Sequence, residues 1–284
     1  MERLQLPSYA KVNLTLDVLE KRPEDGYHYV RTVMLPISLS DQVCMEWSEH
    51  LSLTCSPPIP GAPEENLAFR AAALLRQVTG YRGGAAIHID KVIPVAGGLA
   101  GGSTNAAAVL TGLNRLWGTG LSTEQLVQLA IRLGSDVPFF VPSRPALVEG
   151  IGERLTPVRV ARPFWMVIAT PAVPKSTGHV FKLFDELQEV ERPRTEAMLA
   201  ALATGDLQEI AGSLGNVFEQ VMLPRHPEIG ELKRRMLEGG ALGALMSGAG
   251  PTVFGIVRDP EAGEALLEQI RGHAEAAHLV RTVL

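Results

Sequence analysis

The sequence of 284 residues has few cysteines, few aromatic residues and no long apolar run. Its two cysteines, Cys44 and Cys55, lack the spacing of a zinc site or a redox motif, so we expect reduced thiols in a reducing compartment. No apolar run approaches the roughly 18 residues that a membrane span requires. The first strand pattern starts close to Met1, without the features of a leader segment. These absences predict a cytoplasmic protein that does not bind a membrane.

The chain also carries too little positive charge to suggest that it binds nucleic acid. The formal net charge is −5, and no cluster of lysine and arginine stands out. An anionic ligand would therefore be held by a local field rather than by the overall charge. With 46% hydrophobic and 20% charged residues, the chain has the composition of a globular protein with an ample core. Its length suits one large domain or two of ordinary size.

Hydrophobic periodicity predicts strands and helices in two successive groups. The predicted strands cover 4–19, 29–39, 43–47, 85–89, 146–149, 154–158, 164–169, 242–246, 252–257 and 278–283. The predicted helices cover 66–77, 106–117, 122–132, 197–203, 207–221, 229–237 and 261–276, with 134–140 as a loop. Asn66 is a candidate cap, and Ser122 with Gln125 predicts a capping box. The pattern is α+β, and its change of character near 155–163 predicts two domains, 1–157 and 158–284.

The most informative segment is a glycine-rich loop that runs into an alanine-rich helix. Its four glycines within six residues are Gly97, Gly98, Gly101 and Gly102. Glycine permits positive φ and close approach of a ligand. The helix is expected to open at Ala106, capped by one of the three polar residues at 103–105. Such a helix N-terminus suits a phosphate, although glycine-rich segments are often simple loops. The spacing matches neither a Walker A loop nor the dinucleotide fingerprint.

Three charged or polar residues are candidates for chemistry. Lys11 and Asn13 have the same parity in the first predicted strand, so both side chains lie on one face. A buried lysine there would need a partner or a ligand, whereas at a sheet edge both side chains would face solvent. Asp136 follows Gly-Ser and precedes a proline, where aspartate commonly bonds its own backbone and only sometimes acts in catalysis.

Two turns complete the set of candidate motifs. Asp25-Gly26-Tyr27-His28 ends in an aromatic ring and an imidazole, which could stack on a flat ring and hydrogen-bond its edge. The alternative is a plain hairpin turn. The segment from Ser247 to Thr252 is a second glycine turn, either a nest of N–H groups or a simple turn.

These five motifs, in this order, resemble the GHMP family of small-molecule kinases over essentially the whole chain. The resemblance implies a two-domain α+β fold with the active site in the cleft between the domains. The N-terminal domain would be ribosomal-protein-S5-like, and the C-terminal domain a ferredoxin-like α/β sandwich. The Asp-Gly-Tyr-His turn most resembles members that phosphorylate the 2-hydroxyl of a cytidine-diphosphate-linked methylerythritol in non-mevalonate isoprenoid biosynthesis. A mevalonate or homoserine kinase and a non-catalytic nucleotide-binding relative are the alternatives.

The resemblance also implies a role for each matching residue. Asp136 would orient the attacking hydroxyl, with Lys11 beside it as the second catalytic residue. Substrate contacts would come from Asn13, Tyr27, His28 and, less specifically, Phe181. ATP would be bound by Asn66, Pro94, Val95, Ala96, Gly97, Gly98, Leu99, Ala100, Gly101, Gly102, Ser103, Thr104 and Asn105. Mg²⁺ is expected with ATP. The motifs do not identify its protein ligands, and Ser103 is the best candidate. The protein is expected to be a monomer or a weak homodimer.

This sequence departs from the family pattern at a few positions. Ala96 and Ala100 stand where the loop usually has glycine, and since alanine resists positive φ, we expect both to be right-handed or extended. Thr104 replaces a usual serine and keeps the hydroxyl. Ala249 replaces a usual serine or threonine, so the contact of that hydroxyl is lost. These changes bear on nucleotide affinity rather than on the catalytic groups.

Overall fold

The computed structural model describes residues 3–173 and 177–284. The N-terminal half, residues 3–157, contains six strands and four α-helices. They are β1 (Arg3–Lys21), β2 (His28–Ser48), β3 (Ser52–Ser56), α1 (Leu67–Thr79), β4 (Gly84–Asp90), α2 (Gly101–Leu116), α3 (Thr123–Ala130), α4 (Val137–Phe140), β5 (Ala146–Gly150) and β6 (Arg154–Pro157). Asn66 caps α1, and Ser122 and Gln125 form the predicted capping box of α3.

The C-terminal half, residues 158–284, has shorter strands interleaved with helices. Its described elements are β7 (Trp165–Thr170), α5 (Thr177–Phe184), α6 (Thr195–Thr204), α7 (Leu207–Gly212), β8 (Gly215–Asn216), α8 (Glu219–Met222), α9 (Pro227–Glu238), β9 (Gly243–Met246), β10 (Val253–Val257), α10 (Pro260–Ile270) and β11 (Ala276–Arg281). Four of these strands form a sheet in the order β11-β7-β10-β9, with antiparallel neighbours throughout.

A long antiparallel hairpin of β1 and β2 is the spine of the larger sheet. Its path is β3-β4-β2-β1-β8, and β5 pairs with the first part of β2 while β6 pairs with β5. Where the sequence predicts two strands, over 29–39 and 43–47, the structure has the single strand β2. The intervening residues continue the pairing with β1, because Ser40 and Asp41 lie opposite Tyr9 and Ser8.

Several other predicted boundaries are wrong. Helix α2 begins at Gly101 rather than Ala106, with Ala100 as its N-cap and no side-chain cap. The predicted helix over 207–221 is two short helices separated by β8, because Asn216 pairs into the larger sheet. The predicted loop over 134–140 contains α4. The periodicity of short elements such as β3 and α5 is too brief to mark them in the sequence.

Apolar side chains connect the two halves. One buried cluster lies between the helices and sheet of the N-terminal half, and another within the C-terminal half. A third combines Leu14 and Leu35 of the hairpin with Phe164, Met198 and Phe254 of the C-terminal half. The division at 157/158 stays a prediction, and the structure adds that a shared core crosses it. Within the described residues, every helix is too short or too polar to cross a membrane.

Candidate active site

A cleft of about 1180 Å³ brings most of the predicted site residues together. It is lined by Lys11, Asn13, Tyr27, His28, Asn66, Pro94, Val95, Ala96, Gly97, Gly98, Ala100, Gly101, Gly102, Ser103, Asn105, Asp136 and Phe181. Two predicted residues, Leu99 and Thr104, are buried and do not line it. The cleft receives residues from both halves of the chain, as the resemblance implies.

Lys11 and Asn13 lie at the centre of the cleft, and the buried alternative holds for both. Each residue is only 3% exposed. The Lys11 Nζ donates to Asn13 Oδ1 at 2.6 Å and to the carbonyl oxygen of Gly98 at 3.0 Å. Burial lowers the pKa of Lys11, and the negative charge of Asp136 acts in the opposite direction. An ammonium group has three hydrogens, so one remains for a ligand in the cleft.

Asp136 is half-buried at the start of α4, and its carboxylate does not cap that helix. The side chain makes no hydrogen bond to the N-terminus of that helix. The structural alternative, a carboxylate bonded to its own turn, therefore does not hold. Asp136 lines the same cleft as Lys11, and its negative charge acts to raise the pKa of Lys11 against the larger effect of burial.

The glycine loop contains the clearest correction to the sequence analysis. Ala96 has φ of 57° and Ala100 has φ of 58°, so both are left-handed and the expected right-handed or extended conformations are wrong. Neighbouring contacts determine the turn at Ala100. Leu99 before it is fully buried and its carbonyl accepts from Lys11 N, while the Ala100 carbonyl accepts from Thr104 N in the first turn of α2.

The second glycine turn packs against the glycine loop, so it is more than a simple turn. Ser247 Oγ donates to the Gly98 carbonyl at 3.2 Å, and Thr252 N donates to the Gly97 carbonyl at 3.3 Å. A Cβ at Gly98 would come within 2.4 Å of the Ser247 carbonyl oxygen, so the backbones leave no room for a side chain there. The two turns thus brace each other across the halves.

A buried polar network behind the loop was not predicted from the sequence. Asp41 is fully buried, and its Oδ1 accepts from the backbone N of Val92 and Ile93 at 2.7 and 2.8 Å. Its Oδ2 accepts from Asn105 Nδ2 at 2.9 Å and forms an ion pair with Lys91. The side chain of Asn105 is thereby held in this network. The feature of the sequence that could have revealed this network is a single aspartate, Asp41, within a largely apolar strand.

The opposite end of the cleft holds the aromatic residues. Tyr27 is 60% exposed, whereas the side chain of His28 is only 7% exposed. The rings of His28 and Phe181 stack with centroids 5.2 Å apart and an interplanar angle of 26°. Phe181, the least specific assignment, therefore does lie beside His28. The two rings contact each other, so there is no space for a flat ligand between them.

Asn66 and Ser103 lie on the loop side of the cleft. Asn66 Oδ1 accepts from Ala68 N at 2.9 Å, which leaves the amide hydrogens for a ligand. Ser103 is half-buried in the first turn of α2. Across the residues that the structure describes, no group of three or more histidine, cysteine, aspartate or glutamate side chains is placed to hold a metal ion.

Comparison with known proteins places these features in one class. Residues 66–144 match the GHMP kinases N terminal domain, and residues 198–276 match the GHMP kinases C terminal domain. The chain belongs to the GHMP kinase family. It is 62% identical, over 99% of this chain and 100% of the relative, to the 4-diphosphocytidyl-2-C-methyl-D-erythritol kinase of Symbiobacterium thermophilum.

Solved structures agree with this relationship. A crystal structure of 4-(cytidine 5'-diphospho)-2C-methyl-D-erythritol kinase has a TM-score of 0.84 at 34% identity, covering 98% of this chain and 99% of that one. L. major mevalonate kinase, solved with R-mevalonate, has a TM-score of 0.77 at 15% identity, covering 98% and 95%. The second likeness shows the fold alone. The predicted two-domain GHMP kinase fold is therefore confirmed.

Proposed function

We infer that the protein is an ATP-dependent kinase that phosphorylates the 2-hydroxyl of 4-diphosphocytidyl-2-C-methyl-D-erythritol, a step of isoprenoid precursor biosynthesis. The high identity to kinases of that name over the full chain supports this substrate. The single structural observation that carries the chemistry is Lys11, which is buried at the centre of the cleft and held on the Gly98 carbonyl of the loop.

We propose that the glycine loop binds the phosphates of ATP. Residues 94–98 and 100–103 supply backbone along one wall of the cleft, and the N-terminus of α2 adds its positive dipole end. Leu99 and Thr104 support the loop from behind, and Asn105 lines the cleft while its side chain bonds to Asp41. Asn66 also lines the cleft, and its free amide hydrogens are proposed to contact the adenine nucleoside.

In this proposal Lys11 and Asp136 perform the transfer. The free Lys11 hydrogen would contact an oxygen of the moving γ-phosphoryl group, where negative charge must be stabilised in the transition state. Asp136 would accept or orient the proton of the attacking hydroxyl. Asn13, whose amide Nδ2 donates to Thr32 Oγ1 at 2.8 Å, would position the substrate next to Lys11.

Tyr27, His28 and Phe181 are proposed to bind the cytosine. Tyr27 offers an exposed aromatic face, and His28 offers a polar edge supported by the ring of Phe181. Tyr27 and His28 flank the cleft at the tip of the β1–β2 hairpin. A base bound there would leave the rest of the acceptor to run along the hairpin toward Lys11.

Mg²⁺ is proposed to enter as the ATP complex, because it bridges phosphate oxygens and keeps several waters. We propose that the Ser103 hydroxyl, which belongs to the cleft lining at the start of α2, joins that shell. We propose that the protein acts as a monomer or weak homodimer on a small molecule, without nucleic acid, in the cytoplasm.

An acceptor assay tests the proposed function. ATP consumption would be measured with 4-diphosphocytidyl-2-C-methyl-D-erythritol, mevalonate and homoserine in parallel. We expect turnover with the cytidylyl substrate alone. Turnover with mevalonate or homoserine instead would assign the chain to another branch of the family, and ATP binding without turnover of any acceptor would make it a non-catalytic relative.

A further inference from the structure

Asp185, which the sequence analysis did not single out, joins residues at the aromatic end of the cleft. It directly follows α5, the helix that carries Phe181. Its Oδ1 lies 2.7 Å from His28 Nε2, and its Oδ2 lies 2.5 Å from Lys21 Nζ. His28 and Lys21 are paired across the tip of the hairpin. One carboxylate of the C-terminal half thus binds both strands of that tip.

The contact with Asp185 determines which nitrogen of His28 carries hydrogen. The hydrogen bonds from Lys21 and His28 lower the pKa of Asp185, against the effect of its partial burial, so the carboxylate is ionised at neutral pH. An ionised carboxylate only accepts hydrogen bonds, and Nε2 must therefore be the protonated nitrogen. In a neutral ring, Nδ1 then bears a lone pair. No described residue hydrogen-bonds Nδ1, and this atom is not sealed from solvent.

Lys21 shares the carboxylate of Asp185 with His28. Its ammonium group pairs with Oδ2 at 2.5 Å, and the Nε2–H of His28 donates to Oδ1 at 2.7 Å. Each carboxylate oxygen thus has one donor from the tip of the hairpin.

We propose that Asp185 is a positioning residue that makes the site selective for cytosine over uracil. By fixing His28 as the Nε2–H tautomer, it presents Nδ1 as an acceptor for the exocyclic amino group of cytosine. Uracil has a carbonyl oxygen at that place, so two lone pairs would face each other. This proposal rests on the proposed function, in which His28 contacts the base. An unmatched buried hydrogen bond of this kind predicts a preference of about 10- to 100-fold in kcat/KM.

The variant Asp185→Asn tests the proposal because the asparagine side chain ends in one acceptor, the amide oxygen, and one donor, the NH₂ group. Lys21 can only donate, so it takes the amide oxygen and leaves the NH₂ group facing His28. His28 Nε2 must then accept, and the hydrogen moves to Nδ1. We expect the ratio of kcat/KM for the cytidine-linked acceptor to that for its uridine-linked analogue to fall about 10-fold or more. KM for ATP should stay unchanged.

Further variants separate this role from a merely structural one. Adding Lys21→Met to Asp185→Asn frees the amide to turn its oxygen toward His28, and the preference for cytidine should recover in part. Glu186→Gln, at the neighbouring exposed position outside the cleft lining, should leave the ratio unchanged. The ¹⁵N chemical shifts of His28 in the unmutated protein should report hydrogen on Nε2.

The outcomes distinguish the two proposals. A protein that phosphorylates neither nucleotide-linked acceptor contradicts the proposed function, while the ¹⁵N measurement still tests the tautomer. A protein that prefers cytidine but keeps the same ratio in Asp185→Asn overturns the role of Asp185. Hydrogen on Nδ1 of His28 in the unmutated protein overturns it as well, whether or not the variant folds.

Discussion

At the scale of single residues, the left-handed alanines of the loop show how contacts override local preference. A left-handed backbone costs an alanine about 1–2 kcal/mol. Ala96 and Ala100 both adopt it, and at Ala100 the buried Leu99 and the first turn of α2 determine the chain direction on either side. The intrinsic backbone preference of alanine, taken without these neighbours, predicts the opposite conformation.

Replacing Ala100 with glycine should leave the free energy of unfolding unchanged or raise it by up to about 1 kcal/mol. Glycine relieves the positive φ, and part of that gain is offset by the larger conformational entropy of the unfolded chain. The control is Ala107→Gly inside α2, which should lower stability by about 1 kcal/mol or more. Urea unfolding measures both. Equal losses in the two variants would contradict the strain assigned to Ala100.

Asp136→Asn should lower kcat by about 10²–10⁴-fold while KM for both substrates changes little. The amide keeps the shape of the side chain but cannot take up the hydroxyl proton. Steady-state kinetics with the cytidylyl substrate measure the effect. Asp90→Asn is the control, since that carboxylate lies outside the cleft lining. An active Asp136→Asn enzyme would remove this residue from the transfer step.

At the scale of elements, β2 is the strand that sequence analysis divided and the structure keeps whole. The interruption in the pattern is polar Ser40 and Asp41 between apolar runs. Asp41 points inward because Lys91, Asn105 and two backbone N–H groups of 92–93 satisfy its carboxylate. This network connects the strand to the approach of the glycine loop and to α2. It explains how the loop is held where no side-chain cap is present.

Asp41→Asn should destabilise the protein by about 3–5 kcal/mol, because Lys91 would be left as a buried charge without its partner. The NH₂ group of the amide would also face one of the present donors. The free energy of unfolding, followed by circular dichroism, measures the loss. The exposed pair of Arg234 and Glu238 offers a control, and Glu238→Gln should produce no measurable change. A similarly stable Asp41→Asn would show that the network does not hold the loop.

The elements that the sequence predicted well are those with long or strongly capped patterns. Strand β1 and α1 with its Asn66 cap are found near their expected positions. Strand parity placed Lys11 and Asn13 on one face, and the structure shows that this face is buried rather than exposed to solvent. Asp185 and Asp41 could not be found in this way, because their roles depend on partners that lie 157 and 50 residues away along the chain. Long-range pairing leaves little trace in local periodicity.

At the scale of the whole molecule, the two halves share structure beyond a common cleft. Strand β8 of the C-terminal half pairs with β1, and the third apolar cluster draws on both halves. The glycine loop and the second glycine turn also contact each other backbone to backbone. These contacts all cross the predicted division between residues 157 and 158.

We expect the two halves to unfold together. The three tryptophans report on both, with Trp47 and Trp117 in the N-terminal half and Trp165 in the C-terminal half. In variants that retain only Trp117 or only Trp165, the fluorescence midpoint in urea should coincide with the circular dichroism midpoint of the same variant. A midpoint for Trp165 that differs from that of the backbone signal would show independent unfolding.

The β1–β2 hairpin also has a consequence for the size of the acceptor. Lys11 and Asn13 lie in the middle of its first strand, and Lys21 with His28 lies at its tip. Both ends of the proposed acceptor site are thus parts of one paired ribbon, and the span between them is determined by how many residues pair in between. The length of the hairpin therefore selects acceptors by their length. A short alcohol can reach Lys11 or the tip, whereas only an acceptor with a long linker can engage both at once.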